Sequence, residues 1–221
     1  MYALPNQTLA HAMEDARQAI ALNPDHLSFY HLTLEPNTAF HRTPPSLPDD
    51  DLSADMQEQI EAILAEHGYV HYETSAFSKA TAPNKSAYAK HNLNYWQFGD
   101  YLGIGAGAHS KLSYHDKITR ETRHKHPKAF MENAEAGHAV DNEWLIAQAD
   151  LGFEFMMNAL RLTGGFETRL FQERTGQSIN SIHTGLQVAA EKKLITQDLQ
   201  RIAPTILGQR YLNDLLELFL N

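Results

Sequence analysis

Residues 91–96 read His-Asn-Leu-Asn-Tyr-Trp, and residues 101–110 read Tyr-Leu-Gly-Ile-Gly-Ala-Gly-Ala-His-Ser. The first run combines an imidazole, two amides and two large aromatic rings in a short stretch. The second run is rich in glycine and ends near another histidine. An imidazole beside aromatic rings is the combination that a large apolar ligand with a metal centre requires. The two runs therefore predict a ligand-binding segment in the middle of the chain.

The composition is that of an ordinary globular protein, with 221 residues, 43% apolar residues and a formal net charge of −9. The acidic balance disfavours binding to phosphate backbones. The sequence contains no cysteine, which excludes disulfides, zinc–thiolate sites and iron–sulfur ligation by this chain. Its apolar stretches are shorter than the roughly 20 residues of a membrane span, and its first residues do not resemble a signal peptide. We therefore expect a cytoplasmic protein.

The first part of the chain alternates between predicted helices and strands. One helix begins after Thr8, and a second begins at Asp49 and the two aspartates that follow it. Apolar and aromatic runs predict strands at residues 26–34, 69–73 and 101–104. Residues 78–90 predict a surface loop, and a short helix is expected at 93–98. This order is typical of a parallel sheet, either open or part of a barrel.

The composition changes after about residue 113. Residues 114–127 are charged and rich in His, Lys and Arg, and they lack apolar periodicity. From Glu143 onward, apolar residues recur at helical spacing. Three helices, a small hairpin at 195–202 and a last helix capped by Thr205 resemble a winged-helix arrangement.

We place the domain boundary near residue 140, which predicts two domains, 1–140 and 141–221. A winged-helix-like domain raises the question of a nucleic-acid partner. The candidate recognition helix at 178–194 carries only Lys192 and Lys193 as basic residues, apart from one histidine. We therefore expect no nucleic-acid binding.

Four segments together point to a family: residues 2–8 (YALPNQT), 27–38, 91–110 and 212–220. Through them the chain resembles the C-terminal part of the oxygen-independent coproporphyrinogen III oxidase-like proteins of the radical SAM superfamily, in the branch of heme chaperones. The resemblance covers essentially the whole sequence. The HNxxYW pattern directly before a glycine-rich segment is its most specific part.

The resemblance implies the C-terminal part of an incomplete (β/α) barrel followed by a small helical, winged-helix-like domain. In such proteins three cysteines spaced CxxxCxxC bind a [4Fe–4S] cluster whose open iron holds S-adenosylmethionine (SAM). Those cysteines lie before the part that this chain resembles, so we expect a truncated fragment that cannot bind the cluster. The family usually has Gly-Leu-Pro-Gly where this chain has Ala3-Leu4-Pro5-Asn6. Asparagine tolerates left-handed backbone, so the turn is expected to persist at Asn6.

In the heme-chaperone branch the HNxxYW motif is associated with heme binding. The resemblance therefore implies that His91 is the metal ligand, with Asn92, Tyr95 and Trp96 as further heme-binding residues. From spacing alone, a structural role is the simpler hypothesis, in which His91 and Asn92 cap a short helix while Tyr95 and Trp96 lie in the core.

The resemblance also implies contacts with the adenosine of SAM. The matching positions are Thr33, Gly105, Gly107 and His109. Glycines of this kind let backbone approach a ligand closely. Simple strand packing is the structural alternative for all four positions.

Two functional hypotheses follow. In the first, the chain is a fragment of a heme chaperone that binds heme and transfers it to a target protein. In the second, it derives from an anaerobic coproporphyrinogen III oxidase of porphyrin biosynthesis, which is inactive without the cluster-binding part. We assign no catalytic residue. Exposed strand edges of an incomplete barrel would also allow self-association.

Overall fold

A computed structural model describes residues 1–80 and 88–220. Residues 81–87 of the loop predicted at 78–90 lie outside the described residues. The chain divides into two compact units, residues 1–89 and 90–221. Within the described ranges, no helix is long and apolar enough to cross a membrane. The cytoplasmic location stays a prediction.

The first unit packs helices against an antiparallel sheet. Its described elements are α1 (Leu9–Ala21), β1 (His26–Ser28), α2 (Ala39–Arg42), α3 (Asp50–Glu66), β2 (Tyr69–Glu73) and β3 (Ala76–Lys79). The strand order is β1-β3-β2. The predicted cap at Thr8 is confirmed, because Thr8 accepts a hydrogen bond from the His11 amide. The helix start predicted at Asp49 is also confirmed, and Asp49 caps the helix by accepting a hydrogen bond from the Leu52 amide. These bonds satisfy amides that have no partner inside the helix.

The core of the first unit lies between α1, α3 and the sheet. Its central side chains include Met13, Met56, Leu64 and Phe77, which are all buried. The turn at the start of the chain is left-handed at Asn6, with φ of 56°, as expected. It is also left-handed at Ala3, with φ of 57°, where the family usually has glycine. Ala3 therefore carries a backbone conformation that L-residues adopt only at an energetic cost.

The expected parallel sheet is mostly wrong for this unit. Its strands pair antiparallel, and β1 ends at Ser28 instead of continuing to Leu34. After Ser28 the chain leaves β3, and His31 forms a parallel bridge with Tyr2. A barrel needs a long neighbouring strand on this side, and residue 2 supplies only one bridge. This pairing is compatible with part of a barrel, and the described residues form no closed one.

The second unit begins with α4 (Lys90–Trp96) and a three-stranded antiparallel sheet. The sheet has the order β4-β5-β6, and α5 (Pro127–Glu135) lies between β5 and β6 in sequence. The strands are β4 (His109–Ser113), β5 (Ile118–Arg123) and β6 (Val140–Leu145). The expected strand at 101–104 is reduced to a bridge between Tyr101 and Lys111.

One strand of this region was not predicted, and one predicted helix start is wrong. Residues 114–127 contain β5, and the helix predicted from Glu143 begins only at Leu151, after β6. The strand β5 has no apolar pattern in the sequence, because Arg120 and Arg123 occupy partly buried positions. Each of these arginines forms an ion pair there. A short apolar run such as residues 144–146 does not distinguish a strand from a helix by periodicity alone. Pairing with β5 makes Val140–Leu145 a strand.

The winged-helix-like arrangement is confirmed. The elements are α6 (Leu151–Ala159), β7 (Phe166–Glu167), α7 (Thr168–Thr175), a 3-10 helix (Ile179–Ile182), α8 (His183–Glu191), β8 (Ile195–Gln197), β9 (Arg201–Pro204), α9 (Ile206–Arg210) and α10 (Leu212–Glu217). The small sheet has the order β7-β9-β8, so the β8–β9 hairpin pairs with the short strand β7 through β9. Thr205 caps α9 as predicted.

One hydrophobic core runs through the second unit. Phe155, Phe166 and Phe171 form its centre through edge-to-face ring contacts. Phe98 and Ile118 belong to the same core, although they lie far earlier in the sequence. The boundary near residue 140 stays a prediction.

The two adjacent glycines after α6 offer a matched test of this packing. Gly165 has φ of 63°, and a Cβ there would lie 1.9 Å from the Ile202 carbonyl oxygen, whereas a Cβ on Gly164 would meet nothing within 4 Å. We expect Gly165→Ala to lower the free energy of unfolding by about 2 kcal/mol or more, since left-handed strain and a backbone clash add. Gly164→Ala should change it by less than about 0.5 kcal/mol. Urea denaturation of both variants checks this, and equal midpoints would contradict it.

Candidate functional site

The predicted heme-binding residues lie on two adjacent faces of α4. His91 and Tyr95 are one helical turn apart and share one face, whereas Asn92 and Trp96 share the neighbouring face. His91 is exposed, and the other three side chains are partly buried. Among the described residues, no donor or acceptor is hydrogen-bonded to the ring nitrogens of His91. The imidazole is thus presented to solvent from a helix whose other face is packed.

The His91 ring packs against aromatic side chains. The Tyr95 ring lies 4.8 Å from the His91 ring in an edge-to-face arrangement, and 4.3 Å from the Tyr101 ring. Burial, together with the nearby Tyr101, raises the pKa of Tyr95. Its phenol therefore stays protonated at neutral pH and is a poor candidate for a phenolate ligand. We call His91, Tyr95 and Tyr101 the aromatic platform.

Trp96 faces the C-terminal helices. The guanidinium of Arg161, which follows α6, lies 4.6 Å from the centre of its ring, within range of a cation–π interaction. The indole Nε1 is buried and has no hydrogen-bond partner among the described residues. These contacts give Trp96 a packing role beside whatever contact it makes with a ligand.

The turn after α4 is tightly constrained. The Asn94 side-chain amide donates to the Asp100 carbonyl at 2.8 Å, and the Gly99 amide donates to the Asn94 carbonyl at 2.7 Å. A Cβ on Gly99 would lie 2.1 Å from the Asn94 side chain, so only glycine fits there. Phe98 is left-handed, with φ of 55°, and its ring is buried against Phe155. The turn therefore fixes the end of α4 on the core.

Lys111 anchors this turn from β4. It is 2% exposed, and its ammonium group donates to the Phe98 carbonyl, Asp100 Oδ1 and Ser113 Oγ at 3.0–3.1 Å. An ammonium group has three N–H donors, so all of them are satisfied. Burial lowers the pKa of Lys111, and Asp100 opposes that shift. Burial alone would raise the pKa of Asp100, but hydrogen bonds from Ser113 and Lys111 hold it below its usual value.

A second ion pair fixes Tyr101. Arg120 on β5 donates to the Tyr101 hydroxyl at 3.1 Å and forms an ion pair with Glu154 on α6. Arg120 lies directly opposite Lys111 in the β4–β5 register. Two like charges in that position repel each other. Each cation has its own carboxylate, Asp100 or Glu154, which offsets the repulsion.

The glycine-rich segment forms an irregular loop before β4. A Cβ on Gly103 would lie 2.3 Å from the His109 carbonyl oxygen, so Gly103 permits close backbone approach. Gly105 and Gly107 have φ of 106° and 71°, and a Cβ on Gly105 would meet nothing within 4 Å. His109 is exposed at the first position of β4. The loop thus exposes backbone beside an imidazole.

Thr33 lies in the first unit, whereas Gly105, Gly107 and His109 lie in the second. Thr33 is exposed, and its hydroxyl donates to the Glu35 carboxylate at 3.0 Å. In residues 1–80 and 88–220, no group of three or more His, Cys, Asp or Glu side chains is arranged to hold a metal ion.

Sequence reasoning missed Tyr101, Arg120 and Glu154 as parts of this site. Tyr101 lies in the segment quoted above, but its role depends on an arginine 19 residues later and a glutamate 34 residues beyond that arginine. One usable signal was present. Ile118, Thr119 and Thr122 are β-branched and favour a strand, although residues 118–123 (ITRETR) show no alternation of polar and apolar side chains.

A family match and a structural match indicate the class of protein to which this chain is similar. Residues 146–211 match the HemN C-terminal domain family. The fold matches that of the radical SAM enzyme coproporphyrinogen III oxidase HemN from Escherichia coli, with a TM-score of 0.73 over 99% of this chain and 53% of that chain, at 19% sequence identity. The chain therefore has the fold of the C-terminal part of an oxygen-independent coproporphyrinogen III oxidase-like radical SAM protein.

Sequence relatives identify a narrower group of similar proteins. Over its whole length the chain is 44% identical to the heme chaperone HemW of Haemophilus influenzae and 43% identical to HemW of E. coli. It is also 31% identical to HemW of Bacillus subtilis. The chain spans 55%, 56% and 57% of the lengths of these relatives. The family resemblance drawn from the four sequence segments is thereby confirmed, with HemW as the related protein.

The Lys111 anchor can be tested by its dependence on pH. Asp100→Asn removes the charge facing a buried ammonium, so we expect a loss of about 1–2 kcal/mol in unfolding free energy at pH 7, moderated by the partial exposure of Asp100. Because the folded-state pKa of Asp100 is lowered, its contribution is present above the unfolded pKa of about 3.9 and is lost as pH falls through the folded value. Wild type and variant should converge in acid.

Urea denaturation at pH 7, 4 and 2 measures this effect. Asp116→Asn, in the turn between β4 and β5, is the matched control and should follow wild type at every pH. A constant difference between wild type and Asp100→Asn from pH 7 to pH 2 would contradict the assignment.

Proposed function

We propose that this chain is the heme-presenting part of a heme chaperone, with His91 as the axial ligand to the heme iron. The observation that carries the proposal is the exposed imidazole of His91, which has no hydrogen-bond partner among the described residues and contacts the Tyr95 ring, itself packed on Tyr101. Neutral imidazole is a common axial ligand, and aromatic rings suit the apolar porphyrin face. The names of the relatives support heme as the ligand.

Asn92 and Trp96 have supporting roles in this proposal. They lie on the face of α4 next to His91, where Asn92 can hydrogen-bond a propionate or orient the ligand. Trp96 holds the helix against Arg161 and extends the aromatic surface. In the whole protein, bound heme would pass to a target protein whose own ligand replaces His91. An exposed ligand is suited to such an exchange, because the acceptor can approach the iron.

The family cofactors enter this proposal through the whole protein. A [4Fe–4S] cluster is held by cysteine thiolates, and this chain has no cysteine, so it supplies no ligand to the cluster. For SAM, the proposed contacts in the second unit are Gly105, where a Cβ would meet nothing within 4 Å, Gly107 and the exposed His109. The exposed Thr33 is the proposed contact of the first unit. SAM bound to such a cluster supplies radical chemistry in this superfamily, and we assign no radical step to residues of this chain.

The alternative activity, coproporphyrinogen III oxidation, is supported by the fold match alone. That match is at 19% identity, whereas four HemW relatives match at 34–44% identity. The exposed imidazole of the HNxxYW motif is better explained by binding of a metalloporphyrin, whose metal it can ligate, than by hydrogen abstraction from a metal-free porphyrinogen. Heme presentation is therefore the function that the site supports best.

A hemin titration followed by absorbance tests the proposal. We expect saturable binding with a shifted Soret band for the wild-type chain. His91→Ala should weaken binding at least about tenfold, which corresponds to about 1.4 kcal/mol, and should lose the shift because the imidazole ligand is gone.

His183→Ala provides the control, because His183 is also an exposed helical histidine of the second unit. It should bind hemin as wild type does. Equal loss in both variants would indicate nonspecific coordination by surface histidines. Unchanged binding by His91→Ala would return His91 to a structural role.

A further inference from the structure

The aromatic platform is connected to the C-terminal helices by a continuous series of contacts. The His91 ring rests on Tyr95, Tyr95 rests on Tyr101, and the Tyr101 hydroxyl accepts a hydrogen bond from Arg120. Arg120 in turn pairs with Glu154 on α6. Both charged side chains are largely buried, with 17% and 21% of their surface exposed. The series joins α4, the segment before β4, β5 and α6.

This arrangement has features that simple surface pairing lacks. A largely buried ion pair is screened little by salt, and removing one partner leaves an uncompensated charge. The guanidinium is planar and directs its N–H groups to fixed positions, so Glu154 sets the orientation of Arg120. Arg120 then fixes the hydroxyl end of Tyr101. Free rotation of the Tyr101 side chain would move the ring on which Tyr95 rests.

We infer that Glu154 and Arg120 are positioning residues for the axial ligand: through Tyr101 and Tyr95, they orient the His91 imidazole from the C-terminal helices. The inference rests on the proposed function. It adds that the geometry of iron ligation is set by a residue of α6, 63 positions from His91 in the numbering. Packing between α6 and the β4–β5 sheet therefore tunes heme binding.

A double-mutant cycle on the full 221-residue chain tests the inference. Glu154→Gln and Tyr101→Phe should each weaken hemin binding by about fivefold and broaden the Soret band, because His91 then samples several orientations. The double variant should be no weaker than the stronger single variant, because both substitutions break the same series of contacts. Residues that only stabilise the fold would give effects that multiply.

Glu121→Gln is the matched control. Glu121 lies next to Arg120 on β5 and pairs with Arg123 at 3.2 Å, at similar exposure. Its variant loses a comparable ion pair and should bind hemin as wild type does. Equal weakening by Glu121→Gln and Glu154→Gln would overturn the inference, as would wild-type binding by Glu154→Gln.

A measurement without hemin keeps the two proposals distinguishable. The NMR resonance of the His91 ring should shift in Glu154→Gln and Tyr101→Phe and stay in place in Glu121→Gln, because ring currents from Tyr95 depend on orientation. If the His91 resonance is unshifted in both Glu154→Gln and Tyr101→Phe, the inference is overturned, even if the wild-type chain binds hemin. Absence of hemin binding by the wild-type chain would overturn the proposed function, and with it the role in iron ligation.

Discussion

The buried ammonium group of Lys111 is the interaction on which the second unit depends. It joins the end of α4, the Asp100 turn and β4 through three hydrogen bonds. Without it, the left-handed turn at Phe98 would lose its carbonyl partner and its cation over the ring. The cross-strand position of Arg120 adds a second cation, which requires a second carboxylate. The two ion pairs therefore follow from one constraint, and both lead to the segment that carries the aromatic platform.

Local signals in the sequence were reliable where a single hydrogen bond decides the structure. Thr8 and Thr205, predicted as helix caps, and Asp49, predicted at a helix start, all cap their helices, because each side chain accepts a hydrogen bond from the amide three residues ahead. The strands β5 and β6 were missed, because their formation depends on pairing between residues that lie apart in sequence. The parallel pairing expected for the first unit survives only as the bridge between Tyr2 and His31.

The candidate site was partly predictable for the same reason. His91 and Tyr95 are one helical turn apart, so their proximity follows from the helix itself. Tyr101, Arg120 and Glu154 come together only after the sheet and α6 have packed. The ligand could thus be proposed from the sequence, whereas the groups that hold it in place required the tertiary structure.

The two faces of α4 also separate chemistry from stability. Trp96 lies against Arg161, which follows α6, whereas the His91 ring contacts Tyr95. Replacing His91 by another ligand type would leave the packed face intact. Since the axial ligand sets the reduction potential of a heme, the proposed ligand position on this helix is a natural starting point for engineering a heme carrier with a chosen potential. Methionine at position 91, for example, would favour ferrous over ferric iron.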